Sequence, residues 1–183
     1  ELSQDRQRPA AFSQQQSLAL KQPVLKPPLN PALMQGHFAV DRVSLQSGKS
    51  IGHIRVEAEE TLGHYAEWLD VPASEIRRLN GFRYGRPLHL SQIIKIPLAR
   101  TSKEDFEVKR FEYHQELAED FFISYRVDKV RTYSIKRGDN IWTLSHQEFE
   151  VPMWLIKRYN AGVDFGSLVP SQTLLIPIIE KNV

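Results

Sequence analysis

The sequence has no cysteine. Disulfides, thiolate nucleophiles and cysteine–zinc sites are therefore excluded, although compartment is not, because secreted bacterial proteins often lack the residue. No apolar run approaches the roughly 18–20 residues of a membrane-spanning helix. Neither charge dominates: 24 basic and 22 acidic residues, well mixed, leave a net +2. A nucleic-acid binder would instead gather its basic residues into a stripe, so no nucleic-acid partner is expected. A glycine-rich phosphate loop and a nucleophile elbow are also missing. The six histidines (His37, His53, His64, His89, His114, His146) show no metal-ligand spacing. Glu57, Glu59 and Glu60 crowd one stretch, whereas glycosidic cleavage needs two carboxylates opposed across a cleft about 5–10 Å wide. No catalytic residue, metal or cofactor is expected.

What is present fits small domains. The 183 residues, 41% of them apolar, leave room for two or three compact units with modest cores. Residues 1–35 are rich in glutamine, serine and proline, and five of the eleven prolines lie between Pro9 and Pro31. That composition predicts a flexible tail, able to dock a few apolar residues. Folded structure is expected from near His37. Two strands in hairpin order, "HFAVDRVSL" and "IGHIRV", flank the turn "QSGKS". The start at Glu1 fits a processed form or a cut piece of a longer chain.

Internal repetition is the strongest signal. Val71–Pro97 superimposes on Val151–Pro177 at a constant offset of 80, with identities at Val71/Val151, Pro72/Pro152, Ile76/Ile156, Arg78/Arg158, Asn80/Asn160, Leu88/Leu168, Ser91/Ser171, Gln92/Gln172, Ile96/Ile176 and Pro97/Pro177. Upstream, "IRVEAEETLGHYA" aligns with "YSIKRGDNIWTLS" at an offset of 79, so the second copy carries one extra residue in its first helix. Each copy reads as a short strand (Ile54–Val56; Tyr133–Ile135), a polar corner and a helix (about Thr61–Leu69; Asn140–Glu148). Asp139 is expected to cap the second copy's helix. A second helix starts at Pro72 or Pro152 and stops at Asn80-Gly81 or near Asn160–Gly162. A loop then leads to a closing strand ended by Pro97 or Pro177.

Between the copies, Thr101–Tyr125 lacks proline and glycine, and Ser102 three residues before Asp105 resembles a capping box. Phe106, Tyr113, Leu117, Phe121 and Tyr125 fall near one face. A long amphipathic helix is predicted, acting as a spacer or as a docking face for another protein.

The second copy resembles the lysin-motif (LysM) family, whose pattern of Tyr-x-Val-x-x-Gly-Asp-Thr-Leu, Leu-x-x-x-Asn and Gly-Gln-x-Leu-x-Ile-Pro is met by Tyr133, Ile135, Gly138, Asp139, Asn140, Ile141, Asn160, Gln172, Leu174, Ile176 and Pro177. The first copy, Ile54–Leu98, is a degenerate member, with Glu59-Glu60 where the second has Gly138-Asp139. Its corner is expected to need rebuilding, because glutamate neither adopts positive φ readily nor caps well. The order of tail, weak motif, charged helix and good motif is similar to the cell-wall-binding tails of bacterial membrane-bound lytic transglycosylases. The resemblance implies an α+β fold of two β-α-α-β modules, each a two-stranded antiparallel sheet with two helices, joined by the long helix. The expected divisions are the tail at 1–35, the degenerate module with an extra N-terminal strand at 36–98, a helical linker at 99–129 and the good module at 130–179.

The resemblance also implies binding of N-acetylglucosamine-containing glycans, peptidoglycan strands in bacteria. The groove walls would be Gly138, Asp139, Asn140 and Ile141 on one side, and Ala161, Gly162, Val163, Asp164, Phe165, Leu168, Val169 and Pro170 on the other. Phe82, Arg83 and Tyr84 form a possible second surface. Ile141, Leu144, Ile156 and Ile176 are read as core, Trp142 and Trp154 as packing rather than sugar-stacking residues, and Asn80 and Asn160 as ties to their own loops. The expected role is a noncatalytic wall-binding module in the periplasm or elsewhere in a bacterial envelope. The alternatives are a scaffolding component, with envelope proteins docking on the 102–125 helix or the tail, and the C-terminal targeting tail of a larger cell-wall hydrolase.

Overall fold

The computed structural model describes residues 36–182, and the segment read as a tail lies outside them. The first unit comprises β1 (Arg42–Gln46), β2 (Lys49–Arg55), α1 (Leu62–Leu69), α2 (Ala73–Asn80) and β3 (Ile93–Pro97). A 22-residue helix, α3 (Lys103–Ser124), leads into the second unit. That unit comprises β4 (Tyr125–Ser134), the short α4 (Ile141–Thr143), a π-helical turn (Leu144–Glu148), α5 (Met153–Tyr159) and β5 (Thr173–Lys181). Both sheets are antiparallel, ordered β1-β2-β3 and β4-β5.

The first sheet has three strands rather than the two-stranded core of a bare module, because the N-terminal strand joins it. Gln46 pairs with Lys49 across Ser47-Gly48, both at positive φ (50° and 76°), the two-residue turn whose twist suits a hairpin. The second sheet differs from expectation at both ends. Helix α3 stops at Ser124 and the chain enters β4 with no loop, so residues 125–129, read as helical, are strand. At the other end β5 continues through Pro177, which pairs with Val130, to Lys181. A two-stranded sheet leaves each strand one free edge, where a missing N–H costs no ladder bond.

Each unit has its own core. Ile54, Val56, Tyr65, Leu69, Ile76, Ile94, Ile96 and Phe106 close the first. Ile135, Ile141, Leu144, Leu155, Ile156, Phe165, Leu174 and Ile176 close the second. The duplicated asparagines make the same bonds in both. Asn80 donates to Ile76 O (2.9 Å) and Lys95 O (2.7 Å) and accepts from Lys95 N (2.8 Å). Asn160 repeats this with Ile156 O, Leu175 O and Leu175 N, each at 2.7 Å. One side chain thus rivets the end of a helix to the closing strand.

The extra residue of the second copy is absorbed by the π turn. In the first unit Val71 N donates to Ala66 O (3.0 Å), and in the second Val151 N reaches Ser145 O (3.0 Å), one residue further back. Widening the hydrogen-bonded ring is how a helix takes in one residue without losing its direction.

Helix α3 begins as predicted, with Ser102 Oγ accepting from Asp105 N (3.0 Å). Its buried stripe is Phe106, Arg110, His114 and Ala118; Tyr113, Leu117 and Phe121 flank the stripe, half-buried. Its last carbonyls, on Phe122, Ile123 and Ser124, accept from the side chain (3.0, 3.0 Å) and backbone (2.9 Å) of Asn182, satisfying groups a helix end leaves open.

Asn160→Ala would strand the Leu175 amide and carbonyl together. A loss of about 2 kcal/mol is expected in denaturant unfolding, and Asn80→Ala should give a similar loss in the first unit.

Candidate functional site

In the second unit the β4–β5 ladder hands over to two loops at one end. Ile135 N donates to Gln172 O and Ser171 N to Ile135 O, both at 2.8 Å. The corner after Ile135 is a closed turn. Asp139 N donates to Lys136 O (3.2 Å), while the Asp139 carboxylate accepts from Lys136 N and from Tyr133 Oη, each at 2.8 Å. Burial, and next the hydrogen bond to Asp139, raise the Tyr133 phenol above its ordinary pKa. Gly138 sits at φ 96° with open space where a Cβ would stand. Glycine is therefore there for its backbone angle, not for room.

The helix cap is Asn140, not Asp139. Asn140 Oδ1 accepts from Thr143 N (2.9 Å) and its amide donates to Thr143 Oγ1 (2.9 Å). Asp139 is one residue too early to reach the first turn, and its carboxylate closes the corner instead. Ile141 is buried in the core. Of the predicted wall, Ile141 thus gives no exposed surface, and the side chains of Asp139 and Asn140 are already hydrogen-bonded. The corner's exposed offering is backbone: among the described residues, Arg137 and Gly138 make no backbone hydrogen bond.

The facing loop is ordered by its own bonds. Val163 N donates to Asn160 O (3.1 Å), Ser167 N to Asp164 O (3.1 Å) and Gly166 N to Asp164 Oδ1 (2.9 Å). Gln172 closes its end, its side-chain Oε1 accepting from Val169 N (3.2 Å) and its backbone N–H donating to Val169 O (3.1 Å). Phe165 is core, while Ala161, Gly162, Asp164, Val169 and Pro170 are exposed and Val163 and Leu168 are half-buried. The Ile135–Gln172 and Ser171–Ile135 bonds hold Gly138 and Val169-Pro170 at the same end of the sheet. Trp154 packs edge-on against Phe121 and Phe122. Trp142 stacks on His146 (5.0 Å, 18°) and remains 53% exposed.

The corresponding corner of the first unit keeps the same turn. Glu59 takes the glycine's place at φ 66°, and Glu60 N donates to Glu57 O (3.4 Å) while Glu57 N donates to Glu60 Oε2 (2.7 Å). Thr61 caps the helix. The expected rebuilding is therefore absent: glutamate holds a left-handed conformation at a cost of about 1–2 kcal/mol.

What changes is the surroundings. Arg110 of α3, fully buried, binds Glu60 through Nε (2.5 Å) and Nη2 (2.8 Å), and its remaining N–H groups go to Arg55 O (2.6 Å) and Phe38 O (3.2 Å). His114 Nε2 adds a bond at 2.9 Å, and Tyr65 donates its hydroxyl to the same carboxylate. Tyr113 donates to Glu59 O (2.9 Å). Helix α3 thus occupies the outer side of this corner. Glu57, also buried, pairs with Lys157 of α5 and joins the two units. Sequence reasoning placed Tyr113 on the apolar face of α3 but missed its bond to the corner, and missed the roles of Arg110 and His114. The available signal was a cation, an imidazole and a phenol within one helical turn, in a chain whose corner had gained two carboxylates.

Burial alone would push the Glu60 carboxyl up, but hydrogen bonds and charge from Arg110 and His114 hold it at about 2. Among the described residues, no group of His, Asp and Glu is placed to hold a metal ion.

Residues 133–177 match the LysM domain family. The match covers the second unit from the tyrosine that buttresses Asp139 to the proline within β5, and does not extend to the first. A LysM domain implies peptidoglycan binding. Two solved structures are similar over part of the chain. The Bacillus cereus spore cortex-lytic enzyme SleL is 17% identical over 70% of this chain and 23% of its own, with a TM-score of 0.25. The Bacillus megaterium QM B1551 spore cortex-lytic enzyme SleL is 21% identical over 69% of this chain and 22% of its own, with a TM-score of 0.24. The chain thus spans less than a quarter of either enzyme. No curated protein matches it.

Replacing Glu60 by glutamine removes one partner of a buried ion pair and should cost about 3–5 kcal/mol. The wild type should also be acid-sensitive. A carboxyl held at about 2 in the folded state stabilises it above the ordinary value of 4.5. That stabilisation is lost as pH falls from about 4.5 toward 2. Urea midpoints measured between pH 2 and 7 should fall across that window in wild type and much less in Glu60→Gln.

Proposed function

We propose that the LysM domain of this chain binds N-acetylglucosamine-containing glycan strands of peptidoglycan without cleaving them, and so holds the chain, or whatever it belongs to, at a bacterial cell wall. The observation that carries this reading is the contrast between the two corners. At Lys136–Asn140 the turn is closed from within by Asp139 and Tyr133, and exposed Arg137 and Gly138 make no backbone hydrogen bond among the described residues. At Glu57–Thr61 the same turn is covered by α3. An open row of backbone donors and acceptors beside exposed Val169 and Pro170 suits a neutral acetamido sugar, with polar groups to fix the ring and apolar atoms to cover its face. The ligand would sit between Gly138 and the 161–170 loop, with the side chains of Asp139 and Asn140 shaping the turn from behind. Affinity from one such module is expected to be weak, so tethering to a larger assembly would matter through effective concentration. A periplasmic or other envelope location accords with this role.

A second reading is favoured by the first unit. Its corner is used to dock α3 and its Glu57 to hold Lys157, so this module serves as a structural brace rather than a second sugar site. The whole chain then resembles a wall-binding head on a rigid support, as a scaffold component or the targeting part of a larger hydrolase would need.

Sedimentation with insoluble peptidoglycan tests the main reading through Gly138→Glu. The sister corner already holds glutamate at positive φ, so the variant should remain folded, losing about 1–2 kcal/mol, while its side chain fills the groove. Wild-type retention with at least a tenfold loss in Gly138→Glu is the expected result. Equal retention of the two proteins, or none by the wild type, would sink the glycan reading.

A further inference from the structure

The loop Gly81–Pro87 of the first unit lies where the second unit has its glycan-side loop, but its chemistry is different. Between Ala73 and Gln92 stand four arginines (Arg77, Arg78, Arg83, Arg86) and a single carboxylate, Glu75. At the offset of 80, Phe82, Arg83, Tyr84 and Arg86 replace Gly162, Val163, Asp164 and Gly166. None of the four arginines forms an ion pair among the described residues.

Two of these guanidinium groups are held in place by aromatic rings. Arg77 lies over Tyr84 (5.2 Å) and Arg86 over Phe82 (4.7 Å). The backbone fixes the rings: Gly81 ends α2 at φ 64°, Phe82 N donates to Arg77 O (2.8 Å), and Gly85 turns the chain at φ 77°. Phe82 packs on the first core, whereas Tyr84 is 90% exposed.

A solvated basic face needs neither a ring in water nor four arginines. Lysine would do as well for solubility, while arginine presents a planar fork that matches oxyanions bidentately and is more weakly hydrated. Stacking on Tyr84 and Phe82 orders two forks before any ligand arrives, which lowers the entropy cost of binding. The patch is a raised loop rather than a pocket, so it suits a polymer with repeated charges better than a small anion.

We propose that the Arg77–Arg86 loop of the first unit is a second binding surface, for the oxyanions of an anionic cell-wall polymer. These are the carboxylates of the peptidoglycan's own peptide stems, which repeat along the strand that the second unit is proposed to hold. The first unit has then exchanged sugar recognition for charge recognition. The cell-wall setting rests on the function proposed above; the oxyanion chemistry does not.

Three materials test this: insoluble peptidoglycan carrying its phosphodiester polymer, the same material stripped of it by acid, and soluble long-chain polyphosphate. The variants are Arg83→Ser/Arg86→Ser and Tyr84→Ala, all at exposed positions that leave the core intact. Wild type should bind polyphosphate with an affinity that falls steeply with salt, and the double variant should bind at least fivefold more weakly, with a flatter salt dependence. The double variant should lose as much binding on stripped wall as on unstripped wall; a loss confined to unstripped wall would overturn the assignment to stem carboxylates. Gly138→Glu should leave polyphosphate affinity unchanged, which separates this surface from the glycan site. Equal binding of wild type and double variant to all three materials would overturn the proposal.

Discussion

The ion pair between Glu60 and Arg110 is the contact on which the arrangement of the chain depends. A carboxylate and a guanidinium, both removed from water, are tolerated only when each lone pair and N–H finds a partner. Here Arg110 uses its Nε and both terminal nitrogens on Glu60, Arg55 O and Phe38 O. Glu60 accepts in addition from His114, Tyr65 and the Glu57 amide. Closing these bonds requires α3, the 36–40 segment, β2 and the first corner to meet at one point. An apolar contact would permit α3 to slide or rotate. This one fixes its register, and with it the direction in which the chain leaves for the second unit.

The two corners show how one turn can serve two purposes. Both keep a carboxylate that bonds the amide three residues back and a residue at positive φ before it. Lengthening the carboxylate from aspartate to glutamate keeps the turn and carries the charge outward, where it can bind another helix. Glu59 holds the positive-φ position at a corner whose outer side is covered by α3.

Much of this was legible before the structure. The constant offset of 80 gave the duplicated strand–helix–helix–strand order, and Gly81, Ser102 and the paired asparagines behave as their chemistry implies. The offset change to 79 located an extra residue but not its π-helical form, because the length of an insertion does not say which hydrogen bonds will stretch around it. The buried stripe of α3 was only partly read because apolar spacing picks out Phe106, Tyr113 and Leu117, while the residues between them, Arg110 and His114, are polar and do not register in it. Their burial depends on Glu60, 50 residues away from Arg110, and no local pattern reports such a partner. Asp139 was taken for the cap because it begins the apolar run. Its true role needs Tyr133, which only the folded corner brings near. Pro177 was read as a stop, but on the free edge of β5 it breaks no ladder bond, and the strand runs on beside the longer β4.

The absence of any loop between Ser124 and Tyr125 has a mechanical side. Asn182 at the far end of β5 grips the last carbonyls of α3, so helix and hairpin meet at a locked joint rather than a hinge. If the second unit is held on a wall and the cell stretches, tension passes along α3 without being taken up by slack. It arrives at Arg110, about two-thirds of the way back along the helix, where several short bonds share it at once. A load applied at either end is carried jointly by the hydrogen bonds at Asn182 and at Glu60.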